Sequence, residues 1–340
     1  MVSVALRTIL AVAASAILLL PGEARAEPAL QTGSVSSPAW SPDGHSIAWS
    51  ELIPHVGREI WVARRDMSGA HRVTRPIDAL GQIGWLPKHR LVYEANFRLS
   101  TVDVGTRKST LISAVAGESF AVDRRGDRIA TGDPPCPTGC NGPVLVFGTH
   151  GRLLAKVGGR AQNMSPSFSP NGRRIAFDRT LCTKGGRCDP AVGIWTASVG
   201  TGRLQRITRS GVCADWSPDG RSIVYVDGLP AQLRIAPLRG GAATTLSPTS
   251  TCNLAFPPTW SPNSRDIANI GTNGGLDIID VRTRNVRLNT GLSIGFVTGF
   301  AWSPDSSQLL VVGQHGPAAC ADLWLVTVRT AAARPLRRCR

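Results

Sequence analysis

The chain has 340 residues, 42% of them hydrophobic and 18% charged, which is the composition of a soluble globular protein with a core of good size. Its formal net charge of +15 favours anionic partners such as cell-wall polymers, phospholipid head groups or nucleic acid. No basic run with interleaved aromatics appears, which argues against nucleic acid among the three.

The N-terminus reads as an export signal. Arg7 is the lone charge ahead of an apolar run from Ile9 to Leu20, closed by the helix-breaking Pro21-Gly22. Ala24-Arg25-Ala26 supplies small residues where a signal peptidase reads, so cleavage is expected after Ala26, giving a signal over 1–26 and a mature domain over 27–340. The run is short for a bilayer span, which needs roughly 20 residues, and an uncleaved anchor is the alternative. Cleavage removes Arg7, Arg25 and Glu23, leaving 36 basic against 22 acidic residues, or +14.

Beyond the signal one segment recurs, apolar-x-Trp-Ser-Pro-Asp-Gly-x-x-Ile-Ala. It stands as PAWSPDGHSIAW at 38–49, PSFSPNGRRIAF at 166–177, ADWSPDGRSIVY at 214–225, PTWSPNSRDIAN at 258–269 and FAWSPDSSQLLV at 300–311. Two weaker copies are IGWLPKHRLVY at 83–93 and FAVDRRGDRIA at 120–130. The anchors are Trp40, Trp85, Val122, Phe168, Trp216, Trp260 and Trp302. Within the turn, Pro presets φ, Asp accepts a backbone hydrogen bond and Gly takes the positive φ that closes a hairpin. The tryptophan supplies the apolar surface by which neighbouring units pack.

Each copy continues in the same way, through a variable loop to a strand such as EIWVARR (59–65), GIWTASV (193–199) or DLWLVTV (322–328). A turn then leads to a short strand such as LQRIT (204–208). Four short strands per repeat describe one blade of a β-propeller. The expectation is an all-β chain forming a single propeller of seven four-stranded blades, with six or eight as alternatives. Either Leu30-Gln31-Thr32 or the segment Arg334 to Arg338 would supply the final strand that closes the ring.

These residues resemble the TolB-type propeller repeat, the WD-repeat-like family found in periplasmic TolB and in the propeller domains of prolyl-oligopeptidase-like peptidases. The resemblance covers nearly the whole mature chain and implies the fold and a habit of binding partners or peptides. TolB carries an α/β domain before six blades, whereas here the first repeat begins some ten residues after the expected cut and seven anchors are counted. A Tol–Pal role is therefore not implied.

In such a blade the first and third turns open on one face, here called lower, and the second loop and inter-blade link open on the other, the upper. All eight cysteines then fall on the upper face. Cys136–Cys140, Cys182–Cys188, Cys213–Cys252 and Cys320–Cys339 are the preferred pairs, although eight cysteines allow 105 patterns. Pairing suits an oxidising compartment, and zinc, the competing reading, is weakened by the absence of a CxxC pair.

A carboxylate follows the second strand of the first five blades: Glu51, Glu94, Asp133, Asp178 and Asp227. Such a series could ring the upper face and bind a cation or an amine, or simply cap the loops; Gly271 and Gly313 interrupt it in the last two blades. His55 and His315 fall in upper loops where a ligand could meet them, whereas His45 and His89 fall on lower turns. GLSIG at 291–295 matches the nucleophile-elbow pattern around Ser293, but lies in a link without the strand, helix and hydrolase sheet that motif needs.

The expected function is a non-catalytic binding module, secreted or held in the cell envelope. It would act as a monomer whose upper face and channel mouth contact an envelope or extracellular protein, a peptide or an anionic polymer. Nothing in the sequence requires a cofactor or a metal. The alternative is a propeller enzyme, a lyase or glycan hydrolase, drawing its acids from the series Glu51 to Asp227.

Overall fold

The structure is a computed structural model, and it describes residues 34–132, 142–159, 161–180, 193–252, 256–289, 294–314 and 320–339. The described residues form seven four-stranded antiparallel sheets, each built from four consecutive strands. These blades span 35–72, 80–113, 120–157, 162–206, 212–247, 259–289 and 296–337. Among the described residues no helix is long and apolar enough to cross a membrane.

Each anchor sits at or beside the end of its blade's first strand, as Trp40 does in Val35–Trp40 and Trp302 in Phe296–Trp302. Across the turn it faces the repeat's Ile or Leu: Trp40 pairs with Ile47, Val122 with Ile129, Phe168 with Ile175 and Trp302 with Leu309. In the turn itself Ser41 Oγ donates to Asp43 at 2.6 Å and accepts from the Ser46 amide at 2.8 Å, while Asp43 also accepts from the His45 amide. Gly44 follows at φ 72°, the left-handed region where a Cβ is disfavoured. The weak third copy closes the same loop differently: Asp123 stands where five of the other six have Ser and accepts from the amides of Asp127 and Arg128.

The first strands of neighbouring blades pack against one another and form the inner ring. The anchors do more there than fill space. Trp85 donates its indole N–H to Ala39 O, Trp260 to Asp215 O, Trp302 to Thr259 O and Trp40 to Ala301 O, each acceptor lying just before the anchor of the preceding blade. The last of these bonds, at 3.2 Å, joins blade 1 to blade 7.

The apolar core divides by blade interface. Trp40, Ile47 and Trp49 of blade 1 pack with Leu310, Leu323 and Leu325 of blade 7, and each of the other six interfaces has its own cluster. At about 25 cal/mol per Å² of apolar area removed from water, this burial is what holds the blades in register. Ala333–Arg337 is the outer strand of blade 7, in register with Leu323–Val326, so that blade is complete from its own consecutive residues. Leu30 to Thr32 lie outside the described residues.

The inner strands bend near their upper ends. Register shifts fall between Ser36 and Ala39, Met164 and Ser167, and Val212 and Asp215, where Ser37, Ser165 and Cys213 have positive φ. Such bulges re-aim backbone N–H groups out of the ladder, and they fix the geometry described next.

Candidate functional site

Successive side chains on a strand point to opposite sides, so a residue's distance from its anchor decides which neighbouring blade it meets. Glu51 and Asp227 lie eleven residues after Trp40 and Trp216, and Asp178 lies ten after Phe168. Glu94 follows Trp85 by nine, across a turn one residue shorter, and so shares the phase of Asp178. The four described carboxylates thus occupy two registers rather than one ring.

Their bonds follow from this. Glu51 turns back to blade 7, where Arg337 donates to its Oε1 at 2.7 Å, and its other oxygen lies 3.4 Å from the Trp49 indole nitrogen. Asp227 pairs within its own blade with Arg234 at 2.9 Å. Asp178, fully buried, reaches forward to the bulge of blade 5 and accepts from the amides of Cys213 at 2.8 Å and Ala214 at 3.2 Å. Glu94 accepts from the Phe97 amide at 2.6 Å, and its second oxygen rests against the bare Cα of Gly81.

Burial pushes the Asp178 carboxyl up to about 7 against the pull of its two amide donors. Burial likewise raises Glu94 to about 7, opposed by the Phe97 amide and helped by the charge of Glu118. A third acid, missed by the sequence reading, is Asp215 on the first strand of blade 5. It accepts from Ser167 Oγ in blade 4 at 2.8 Å and from the Trp260 amide in blade 6 at 3.0 Å, and burial lifts it to about 6. None of the three owes its shift to another, so they do not share a proton as a catalytic pair would. The signal for Asp215 was available, an acid at the position before an anchor where the other blades carry Ala, Gly, Ser or Thr.

On the upper face, Cys213 is bonded to Cys252 and Cys320 to Cys339, each with Cα atoms 5.8 Å apart, as the sequence reading paired them. Cys213 lies in the first strand of blade 5 rather than in the link before it, so the first bond ties that strand's bulge to the link that enters blade 6. His55 is exposed at the tip of the blade 1 loop. Asp133, His315, Ser293 and the pairs Cys136–Cys140 and Cys182–Cys188 lie outside the described residues. Large apolar side chains are also exposed on these loops: Val56, Phe97, Val115, Leu229 at 64% and Phe296 at 58%.

The lower face carries a cavity of about 660 Å³, on the side where the sequence reading placed no ligand. Trp40, His45, Arg64 and Arg65 of blade 1, His89 of blade 2 and Asp305 of blade 7 contribute to its lining. His45 and His89 occupy equivalent places in two adjacent turns, which is why both line it. Asp43 between them is held below the usual carboxylate range, chiefly by the Ser41 hydroxyl and the His45 amide. Among the described residues no three His, Cys, Asp or Glu side chains converge to hold a metal ion.

No protein-family model matches this sequence, and no curated protein matches it. Solved structures do. A puromycin-hydrolysing peptidase of Mycobacterium tuberculosis is 16% identical over 89% of this chain and 52% of its own, with a TM-score of 0.70. A puromycin hydrolase variant complexed with PGG is 16% identical over 91% of this chain and 54% of its own, with a TM-score of 0.68. The chain is a seven-bladed propeller. This propeller spans about half the length of those two peptidases. An oligogalacturonate lyase in complex with manganese is 13% identical over 87% of this chain and 89% of its own, with a TM-score of 0.64. At these identities the likeness is one of fold.

Proposed function

We propose that the chain is an exported, non-catalytic binding propeller whose upper face contacts an envelope or extracellular protein or peptide. The observation that carries this reading is the exposure of Val56, Phe97, Val115, Leu229 and Phe296 on loops and strand starts of that one face. Exposed apolar side chains on several loops of one face offer a partner apolar contacts from more than one blade. Two disulfides brace the same face, which lowers the entropy lost when loops are ordered on binding. Export accords with the cysteine pairs and with the apolar N-terminal run.

The described carboxylates support the non-catalytic side of the reading, because each is already engaged in holding blades or loops together. A general acid needs a proton it can deliver to a substrate, and Asp178 and Asp215 instead face backbone amides of the next blade. The test places a photo-crosslinking residue at Leu229, and separately at Arg173 on the lower face, in cells making the full chain. Discrete adducts are expected from Leu229 alone, and Phe97→Asp with Phe296→Asp should abolish them. Turnover of oligogalacturonate or of a peptide, lost in Glu94→Gln, would overturn the reading in favour of an enzyme.

A further inference from the structure

The positive charge is concentrated on one side of the disc. The lower turns of the seven blades expose fifteen Arg and Lys side chains against five Asp, whereas the described upper loops and links expose three against two. Every blade contributes, from Arg65 in the first through Arg124, Arg173, Arg221 and Arg265 to Arg329 in the last. Of the fifteen, among the described residues, Arg221 alone has an acid within 4.0 Å, Asp219 at 3.9 Å. The buried acids of this side are matched by other cations, Asp123 by Arg128 and both Asp266 and Asp280 by Arg287. Fourteen of the fifteen exposed cations therefore have no acid within 4.0 Å among the described residues.

Their arrangement narrows the partner. Turns of successive blades are related by rotation about the propeller axis, so the charges lie around a ring rather than along a groove that a single polymer strand would follow. No Phe, Trp or Tyr occurs in these fourteen turns, which leaves no stacking platform for a base or a sugar ring. None of the large exposed apolar side chains lies in them either. The cavity on this side is not the anion's seat, since Asp43, Asp66 and Asp305 balance much of its cationic lining.

We propose that the lower face adsorbs, by charge alone, to a bilayer bearing anionic head groups. The inference goes beyond the upper-face reading and does not rest on it. Each cation held within a Debye length, about 10 Å at 0.1 M salt, adds roughly five-fold to partition onto a strongly anionic surface. Several cations spread around a ring engage together only if the surface they meet is extended.

The experiment is flotation of the full chain with phosphatidylglycerol-containing vesicles and with pure phosphatidylcholine vesicles, at low and high salt. Two triple variants carry the same change of charge: Arg124→Glu, Arg173→Glu and Arg265→Glu on the lower face, and Arg75→Glu, Arg209→Glu and Arg338→Glu on the upper. Wild type should float with the anionic vesicles at low salt and be released at high salt. The lower variant should bind more than ten-fold more weakly and the upper one within about three-fold of wild type, with melting temperatures confirming that both fold. The three lower substitutions made singly replace the triple if it does not fold. Equal loss in both triple variants, equal flotation with both vesicle types, or retention at high salt would overturn the proposal. Arginine-dependent binding of soluble DNA or polygalacturonate without vesicle binding would overturn it in favour of a polymer.

Discussion

Replacing Asp178 with alanine removes the acceptor for two backbone amides of the next blade, those of Cys213 and Ala214. A buried donor left without a partner costs about 1–3 kcal/mol, so the pair costs roughly 2–6 kcal/mol. Against this stands relief from a carboxyl that burial holds near 7 in the folded chain and that returns to about 3.8 on unfolding. Between those values the folded chain keeps a proton that the unfolded chain has lost. The group's contribution is therefore full below about pH 3.8 and is lost as pH rises through 7. A gap of about three pH units sets an upper bound of roughly 4 kcal/mol on that loss. Asp178→Ala should then be destabilised by about 2–4 kcal/mol at pH 5 and by far less at pH 8. Urea midpoints at both values, with hydrogen exchange read at residues 213 and 214, measure it. A difference between wild type and variant that does not change with pH, or unchanged exchange at those amides, would refute the reasoning.

Trp302→Phe and Trp216→Phe both lose ring volume from the core, but Trp302→Phe should cost about 1 kcal/mol more by giving up the bond to Thr259 O, because among the described residues the buried Trp216 indole N–H has no acceptor to lose; thermal melts of the two separate them. Arg337→Ala leaves buried Glu51 without its cation, but Arg337 is 46% exposed, so the loss should be about 1 kcal/mol and should shrink when Glu51→Gln is added; the same melts measure it. Cys213→Ser with Cys252→Ser opens a bridge spanning 39 residues and should cost roughly 2–4 kcal/mol in a urea titration, and reductant should lower wild type by at least as much, because it also opens Cys320–Cys339.

The repeat made the fold legible because one turn chemistry recurs at one place in five of the seven blades. Even the third copy, without Trp, Ser or Pro, keeps Val122, Asp123 and Gly126 where the anchor, the turn acceptor and the positive φ are required. Two cysteine pairs were legible for the same reason, since topology alone puts Cys213 near Cys252 and Cys320 near Cys339. The carboxylates were less so. Reading them as a series after the second strand overlooked that Asp178 and Glu94 stand one position out of phase with Glu51 and Asp227, which on a strand reverses the side chain's direction. Counting from each anchor would have shown it. The bulges that supply amides to Asp178 carry no such signal, because Ser37, Ser165 and Cys213 adopt left-handed backbone without being Gly or Asn. The apolar loop tips were visible as letters, but their exposure depends on which turn lifts them clear of the sheet.

A propeller separates its two faces by construction, because every strand runs from one to the other and each turn type stays on its own side. Residues selected on the SPDG-type turns can therefore change without disturbing the loops opposite. Here that separation carries opposite chemistries: cationic, non-aromatic turns below, and disulfide-braced loops with apolar tips above. Bonds such as Asp178 to Cys213, Asp215 to Trp260 and Arg337 to Glu51 run between blades and make the ring a rigid spacer between the two faces. A disc seated by its lower charges on an anionic bilayer would hold Phe97, Leu229 and Phe296 away from the lipid and open to a partner. Salt would then release the disc from vesicles without affecting a crosslink formed from Leu229, whereas Phe97→Asp with Phe296→Asp would abolish the crosslink and leave flotation unchanged. If either perturbation moves both readouts together, the two faces do not act independently, and one shared surface must account for both.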